Sequence, residues 1–208
     1  MKSILLVFCV LFSVHSFSQR DEAQIDSILV DYAVKLKARG ATDVFSMKRY
    51  CDGNVQMFIM PNGKTCSSNG TYIEAFLFFN ESEQTKVVKV DNCGLFNEQI
   101  MEESQAMAYY VSNKSQVNSS TIKPFETASA NETPRARTTV YRCHRGFSFY
   151  NELGQNTITY SMYQLSNDGD QPNINFNHNR EQPIVTLENQ LKGELLVVER
   201  KGGFVRIQ

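Results

Sequence analysis

Tyr72-Ile73-Glu74-Ala75-Phe76-Leu77-Phe78-Phe79, then Asn80-Glu81-Ser82-Glu83, then Thr85-Lys86-Val87-Val88-Lys89-Val90-Asp91 follow one another almost without interruption. Two runs rich in aromatic and β-branched residues flank a polar turn, and a connection this short joins antiparallel neighbours. The stretch therefore predicts two adjacent strands of a meander. Working outward, strand character begins near Tyr50, and Val55-Gln56-Met57-Phe58-Ile59-Met60 reads as the preceding strand, closed by Pro61-Asn62-Gly63-Lys64. Strands resume at Val140, where Tyr141, Cys143, Phe147 and Phe149 share one face and Arg142 and His144 the other. After a turn at Glu152-Leu153-Gly154-Gln155-Asn156, the run Thr157–Leu165 places Ile158, Tyr160 and Met162 on one face.

Helical spacing brackets these strands. From Asp21 to Arg39, Ile25, Ile28, Leu29, Tyr32, Ala33 and Leu36 recur at three and four, Asp21 and Gln24 have capping-box spacing, and Gly40 suits the end. The polar face mixes Asp26, Asp31, Lys35 and Lys37, a balance that suits packing on a sheet better than lying on a membrane. Residues 98–112 predict a second helix with Ile100, Ser104, Met107 and Val111 on one side. Leu187, Leu191, Leu195 and Val198 predict a third, although Val197-Val198 and Gly202-Gly203 also fit a hairpin. Residues 112–139 read as a long polar surface connection, and a short strand is expected around Ile174-Asn175-Phe176. Each half alone would have a thin core, so residues 19–208 are expected to form one α+β domain, an antiparallel sheet with an amphipathic N-terminal helix and one or two further helices.

Composition narrows the function. The chain of 208 residues carries 21 Lys+Arg and 22 Asp+Glu, a net charge of −1, which offers no bulk attraction to nucleic acid. At 41% hydrophobic and 11% aromatic it can build a core, and no internal run is long enough for a membrane span. At the start, Met1-Lys2, the apolar run Ile4 to Val14 and the small residues Ser16 and Ser18 read as a signal peptide over 1–18, cleaved after Ser18. The protein is expected in the periplasm or outside the cell. Cys9 leaves with that segment, and Cys51, Cys66, Cys93 and Cys143 remain, an even number in an oxidising compartment. Two disulfides are expected. Of three possible connectivities, the turn at Pro61-Asn62-Gly63 favours Cys51–Cys66, leaving Cys93–Cys143. A four-cysteine zinc site lacks paired C-x-x-C spacing, so no metal is expected.

Chemistry is thinly marked. His144 and His178 are the histidines of the mature chain and belong to no H-E-x-x-H or H-x-H pattern. G-x-S-x-G, the P-loop and G-x-G-x-x-G are absent from the sequence, and no cofactor is expected. Cys143 beside His144 fails as a nucleophile–base pair because adjacent strand residues point to opposite faces. Asp168-Gly169-Asp170 with Asn173, Asn175 and Asn177 offers oxygens, but neither the glycine nor the bidentate Glu of a calcium loop falls in register, and a solvated turn is expected. Glu102-Glu103 and the Arg135–Arg137 pair read as solvated surface.

Asp26-Ser27-Ile28, Val90-Asp91-Asn92-Cys93-Gly94, Ile122-Lys123-Pro124-Phe125 and Tyr141-Arg142-Cys143-His144 leading into Phe147-Ser148-Phe149-Tyr150, with a leader ending Ser16-Phe17-Ser18-Gln19, resemble a group of uncharacterised exported proteins of Bacteroidota, of flavobacterial type. The likeness covers most of the mature chain. It implies export and a single domain, and it leaves the activity open. The expected function is a non-enzymatic binding or inhibitory, immunity-like protein of the cell envelope, with a protein partner there. The alternative is an exported hydrolase whose carboxylates meet only in the fold.

Overall fold

The computed structural model describes residues 20–60, 62–68, 70–128, 135–136, 143–151, 154–167 and 172–207. The leader expected at 1–18, Tyr141-Arg142 and Asp168–Asp170 lie outside them. The elements are α1 (Glu22–Ala38), β1 (Thr42–Cys51), β2 (Met57–Ile59), β3 (Thr65–Ser67), β4 (Ile73–Glu81), β5 (Gln84–Asp91), β6 (Gly94–Leu95), β7 (Gln99–Ile100), α2 (Gln105–Asn118), β8 (Glu126–Thr127), β9 (Arg135–Ala136), β10 (Cys143–Asn151), β11 (Gly154–Ser161), a 3₁₀ turn (Met162–Leu165), α3 (Phe176–Arg180) and α4 (Pro183–Arg200). The fold is a single α+β domain around a seven-stranded antiparallel sheet.

That sheet runs β11-β10-β1-β4-β5-β6, with β7 also on β5. The Tyr72–Asp91 meander lies at its centre, where β4 and β5 turn through Ser82 and Glu83. β4 is apolar at nearly every position because both its faces are covered. On one face Phe45, Met47, Phe76, Phe78, Val87, Phe147 and Phe149 pack with α2 and α4, which bring Met107, Tyr110, Leu187, Leu191 and Leu195. On the other, Val44, Ala75, Leu77, Phe79, Val88 and Val90 receive Ile25, Leu29, Ala33 and Leu36 of α1. The capping box of α1 is formed as its spacing predicts: Asp21 accepts from the Gln24 amide at 2.8 Å, and the Gln24 side chain accepts from the Asp21 amide at 3.0 Å.

Several expectations are corrected. Residues 42–49 form most of β1, a strand the sequence reading did not place; it enters through an irregular register between Thr42 and Phe45, with Asp43 at a φ of 56°. The second helix starts at Gln105 and runs to Asn118, so the first seven residues of the expected connection 112–139 are helical. The short strand near Ile174 is replaced by α3, with Asn173 bridging to Thr127. At the C-terminus the helical reading holds, over Pro183–Arg200.

The disulfide pairing is corrected most consequentially. Cys51 bonds Cys143 and Cys66 bonds Cys93, in place of Cys51–Cys66 and Cys93–Cys143. Cys51 and Cys143 face each other as register partners where β1 ends and β10 begins, with Cα atoms 3.9 Å apart. The hairpin turning near Asn62-Gly63 exists, but the residue opposite Cys66 is Phe58. Cys51 sits beyond it, on the central sheet, and Cys66 reaches the β5–β6 turn instead.

Candidate functional site

A carboxylate-based hydrolase needs converging carboxylates, one of which holds its proton unusually tightly. Several carboxylates among the described residues converge on cations. Lys48, on β1, extends toward the first turns of α1, where its Nζ lies 2.7 Å from Glu22 Oε1 and 2.8 and 2.9 Å from the two Asp26 oxygens. Burial opposes the ammonium, but the two carboxylates outweigh it and hold Lys48 above its ordinary range. On the opposite face Glu74 sits between Arg49 Nε (2.7 Å) and Lys89 Nζ (2.5 Å). Asp91, fully buried, takes a two-pronged bond from Arg206 at 2.5 and 2.8 Å. The Tyr72 hydroxyl stands between these carboxylates, 3.3 Å from Glu74 and 3.1 Å from Asp91. Burial first, and then the two negative charges, push its proton affinity up. Glu188 of α4 is likewise buried between Arg145 Nε and the Tyr160 hydroxyl, each at 2.5 Å.

The shifts run against an acid catalyst. Asp43 and Glu74 feel burial raising them, yet Lys114 with Asn80, and Lys89 with Arg49, pull both below the usual carboxylate range. Bonds from Arg39 and Lys86 draw Glu81 down to about 2, and Lys201 lowers Glu102. Each of these is a carboxylate held ionised by a neighbour, an arrangement that ties elements together.

Beside α1 the sheet carries a polar strip. Alternation puts His144, Gly146 and Ser148 of β10 and Gln155, Thr157, Thr159 and Ser161 of β11 on the α1 side, in the cross-strand pairs Gly146–Thr159, Ser148–Thr157 and His144–Ser161. α1 lies over β1, β4 and β5, and Gln155, Thr157 and Thr159 are exposed. One cleft lies on the strip, and a second lies near the end of α1. The first, of about 440 Å³, is lined by Glu22, Lys48, Tyr50, His144, Gly146 and Thr159, among others. The second, about 450 Å³, lies where Lys37 ends α1, beside Tyr150, Asn151 and Lys114. In the first cleft the Tyr50 and His144 rings stack, with centroids 5.0 Å apart, and His144 Nε2 lies 3.1 Å from Asp52 Oδ2.

The other notable surface is the β2–β3 hairpin. Phe58 turns inward against the Tyr72 ring (5.4 Å) and the Arg206 guanidinium (5.1 Å). Beside it, the Cys66–Cys93 bond and the Tyr72 amide donating to the Asn54 carbonyl at 2.6 Å fasten the hairpin to the body. The alternate positions then must face out: Val55, Met57 and Ile59 are 54%, 69% and 84% exposed. A sequence signal for this existed. Met57-Phe58-Ile59-Met60 is apolar at every position, the pattern of a strand covered on both faces, and here the body covers one.

The four predicted cysteines are joined in two pairs, which removes Cys143 as a free thiolate; His144 does point to the opposite face. Among the described residues no group of three His, Cys, Asp or Glu could hold a metal ion. Asn173 and Asn175 spend their amides within the fold, on the Gln164 carbonyl (3.0 Å) and the Pro124 carbonyl (3.0 Å). Glu102 pairs with Lys201 at 2.9 Å across an exposed surface. No helix among the described residues is long and apolar enough to cross a membrane. No protein-family model, curated protein or solved structure matches the chain.

Proposed function

We propose that the protein is an exported binding protein that acts by contact with a partner protein of the cell envelope, one of the flavobacterial type of exported proteins its sequence resembles, released by cleavage after Ser18. The carrying observation is the row Val55, Met57 and Ile59 on a hairpin whose inner face is pinned. Three large apolar side chains held in water on a braced ribbon are costly unless something covers them, and a contiguous exposed apolar patch marks an interaction surface. A two-stranded ribbon is narrow and convex, so the complementary partner is a concave apolar site, and filling that site is inhibition by occlusion. Bracing by the disulfide reduces the ordering cost of binding. Two disulfides suit an oxidising extracytoplasmic compartment.

Photo-crosslinking in the producing cell, from a reactive side chain at position 59 and from a control at Leu196, tests this reading; Leu196 is also exposed but lies on α4. Position 59 should capture one protein that position 196 does not. The purified pair should bind, and the double substitution Met57→Asp, Ile59→Asp should weaken it by at least a hundredfold with an unchanged thermal midpoint. Self-crosslinking into dimers, equal capture from both positions, or a pair indifferent to the double substitution would overturn it.

A further inference from the structure

Gly146 lies in the middle of β10, paired without a break to Lys48 of β1 on one side and Thr159 of β11 on the other. Glycine weakens a strand interior, and where no bulge explains it, it often marks close approach of another molecule to the backbone. The fold itself does not require it. A Cβ at this position would meet Lys48 Cε at 3.5 Å, Thr159 Cγ2 at 3.6 Å and Lys48 Cβ at 3.7 Å, ordinary van der Waals distances, and its φ is not in the left-handed region. What the missing side chain does is leave backbone as the floor of the 440 Å³ cleft.

We propose that this polar strip binds a neutral oligosaccharide chain, with Gly146 as the floor of its central subsite. The lining argues for the ligand. Thr159 and Ser161 supply hydroxyls, and Glu22 and Asp26, each about half exposed, have carboxylate oxygens facing water as well as Lys48. Such mixed donors and acceptors match vicinal hydroxyls. The stacked Tyr50–His144 pair adds a flat apolar surface for the C–H face of a sugar ring. Charge argues against an anion. The Lys48 ammonium is committed to Glu22 and Asp26, Arg145 Nε to Glu188, and Asp52 adds a further negative charge at His144. An extended peptide would favour an unpaired strand edge over a strand face. Length argues for a chain: along β11 the strip continues from Ser161 over Thr159 and Thr157 to Gln155, about 20 Å of strand face.

The test uses the mature protein, with amide NMR and calorimetry. Cellotetraose and chitotetraose are the neutral probes, tetragalacturonate the anionic one, and a threonine-rich hexapeptide the alternative class. A neutral probe should shift the amides of Gly146, Thr159 and Ser161 while leaving Met57 and Ile59 unmoved. Gly146→Val should weaken binding at least tenfold, and Thr159→Ala severalfold. Gly146→Ala, whose methyl fits, should keep the thermal midpoint and still lose affinity. Absence of shifts with both neutral probes, equal or tighter binding of tetragalacturonate or the peptide, or Gly146→Val binding as the parent does would overturn the proposal. The hairpin substitutions Met57→Asp and Ile59→Asp should leave sugar binding intact, so the two surfaces stand or fall separately.

Discussion

Ser82 and Glu83 make the tight turn between β4 and β5 with φ values of 53° and 62°. Two consecutive left-handed residues are what a two-residue hairpin needs to match the strand twist, and Asn-Gly supplies them without steric cost. Neither serine nor glutamate does, so the turn holds because the β4–β5 pairing on either side determines it. The double substitution Ser82→Asn, Glu83→Gly should therefore stabilise the protein by about 1 kcal/mol, read as a raised urea midpoint at constant slope. A lowered midpoint would show that the present side chains contribute more than their backbone strain costs. Lys48 illustrates the same dependence on surroundings. Polar residues such as Ser46 and Lys48 obscure β1 in the sequence, and only in the fold do Tyr150, at 3.2 Å from Ser46, and the Glu22–Asp26 pair make them compatible with a covered face.

Among the elements, α1 and α4 were legible and β1 was not, for one reason. A helix at the surface keeps a one-sided stripe, and Ile25, Leu29, Ala33 and Leu36, like Leu187, Leu191 and Leu195, carry it. A central strand has no solvent side, so β1 lacks alternation, and its bulge at Asp43 breaks what period remains. α2 was misplaced because its second half, Ser112-Asn113-Lys114-Ser115-Gln116, is polar and kinked at Asn113, with φ −124° and ψ 22°. The disulfides inherit the missing strand: without β1 beside β10, Cys51 had no partner but its nearest neighbour. The correct pairing carries a stability ranking. Cys51–Cys143 spans 92 residues and Cys66–Cys93 spans 27, so on the chain-entropy account Cys143→Ser should cost about 1 kcal/mol more than Cys66→Ser. Thermal midpoints of the two variants without reductant check it, and a less stable Cys66 variant would contradict it.

Ion pairs join segments far apart in the chain. Arg39 links the end of α1 to Glu81 and Glu98, Arg206 ties the C-terminal segment to Asp91, and Lys114 joins α2 to Asp43. Their pH dependence has a definite sign. Asp43, Glu74, Glu81 and Glu102 have folded pKa values below their unfolded ones, so the unfolded chain binds protons that the folded chain refuses. This stabilisation is complete above the unfolded carboxylate pKa and is lost as pH falls through the folded values. The thermal midpoint should stay level near neutral pH and drop between pH 4.5 and about 2, the interval over which Glu81 is displaced. Melts followed by circular dichroism across that range test it, and a midpoint that holds down to pH 2 would sink it.

At the scale of the whole chain, the sequence by itself determined what local pattern can determine. The Tyr72–Asp91 meander, the α1 stripe with its capping box and the leucine spacing of α4 specify an α+β fold with an antiparallel sheet, because side-chain period and short turns act over a few residues. The tertiary structure alone decided which cysteines meet, which of two apolar strand faces is left in water at Met57 and Ile59, and that Gly146 lines a cleft. Each of these depends on strand order and register, which bring together residues as far apart as Cys51 and Cys143. No local pattern encodes that proximity; the packing of both sheet faces selects it.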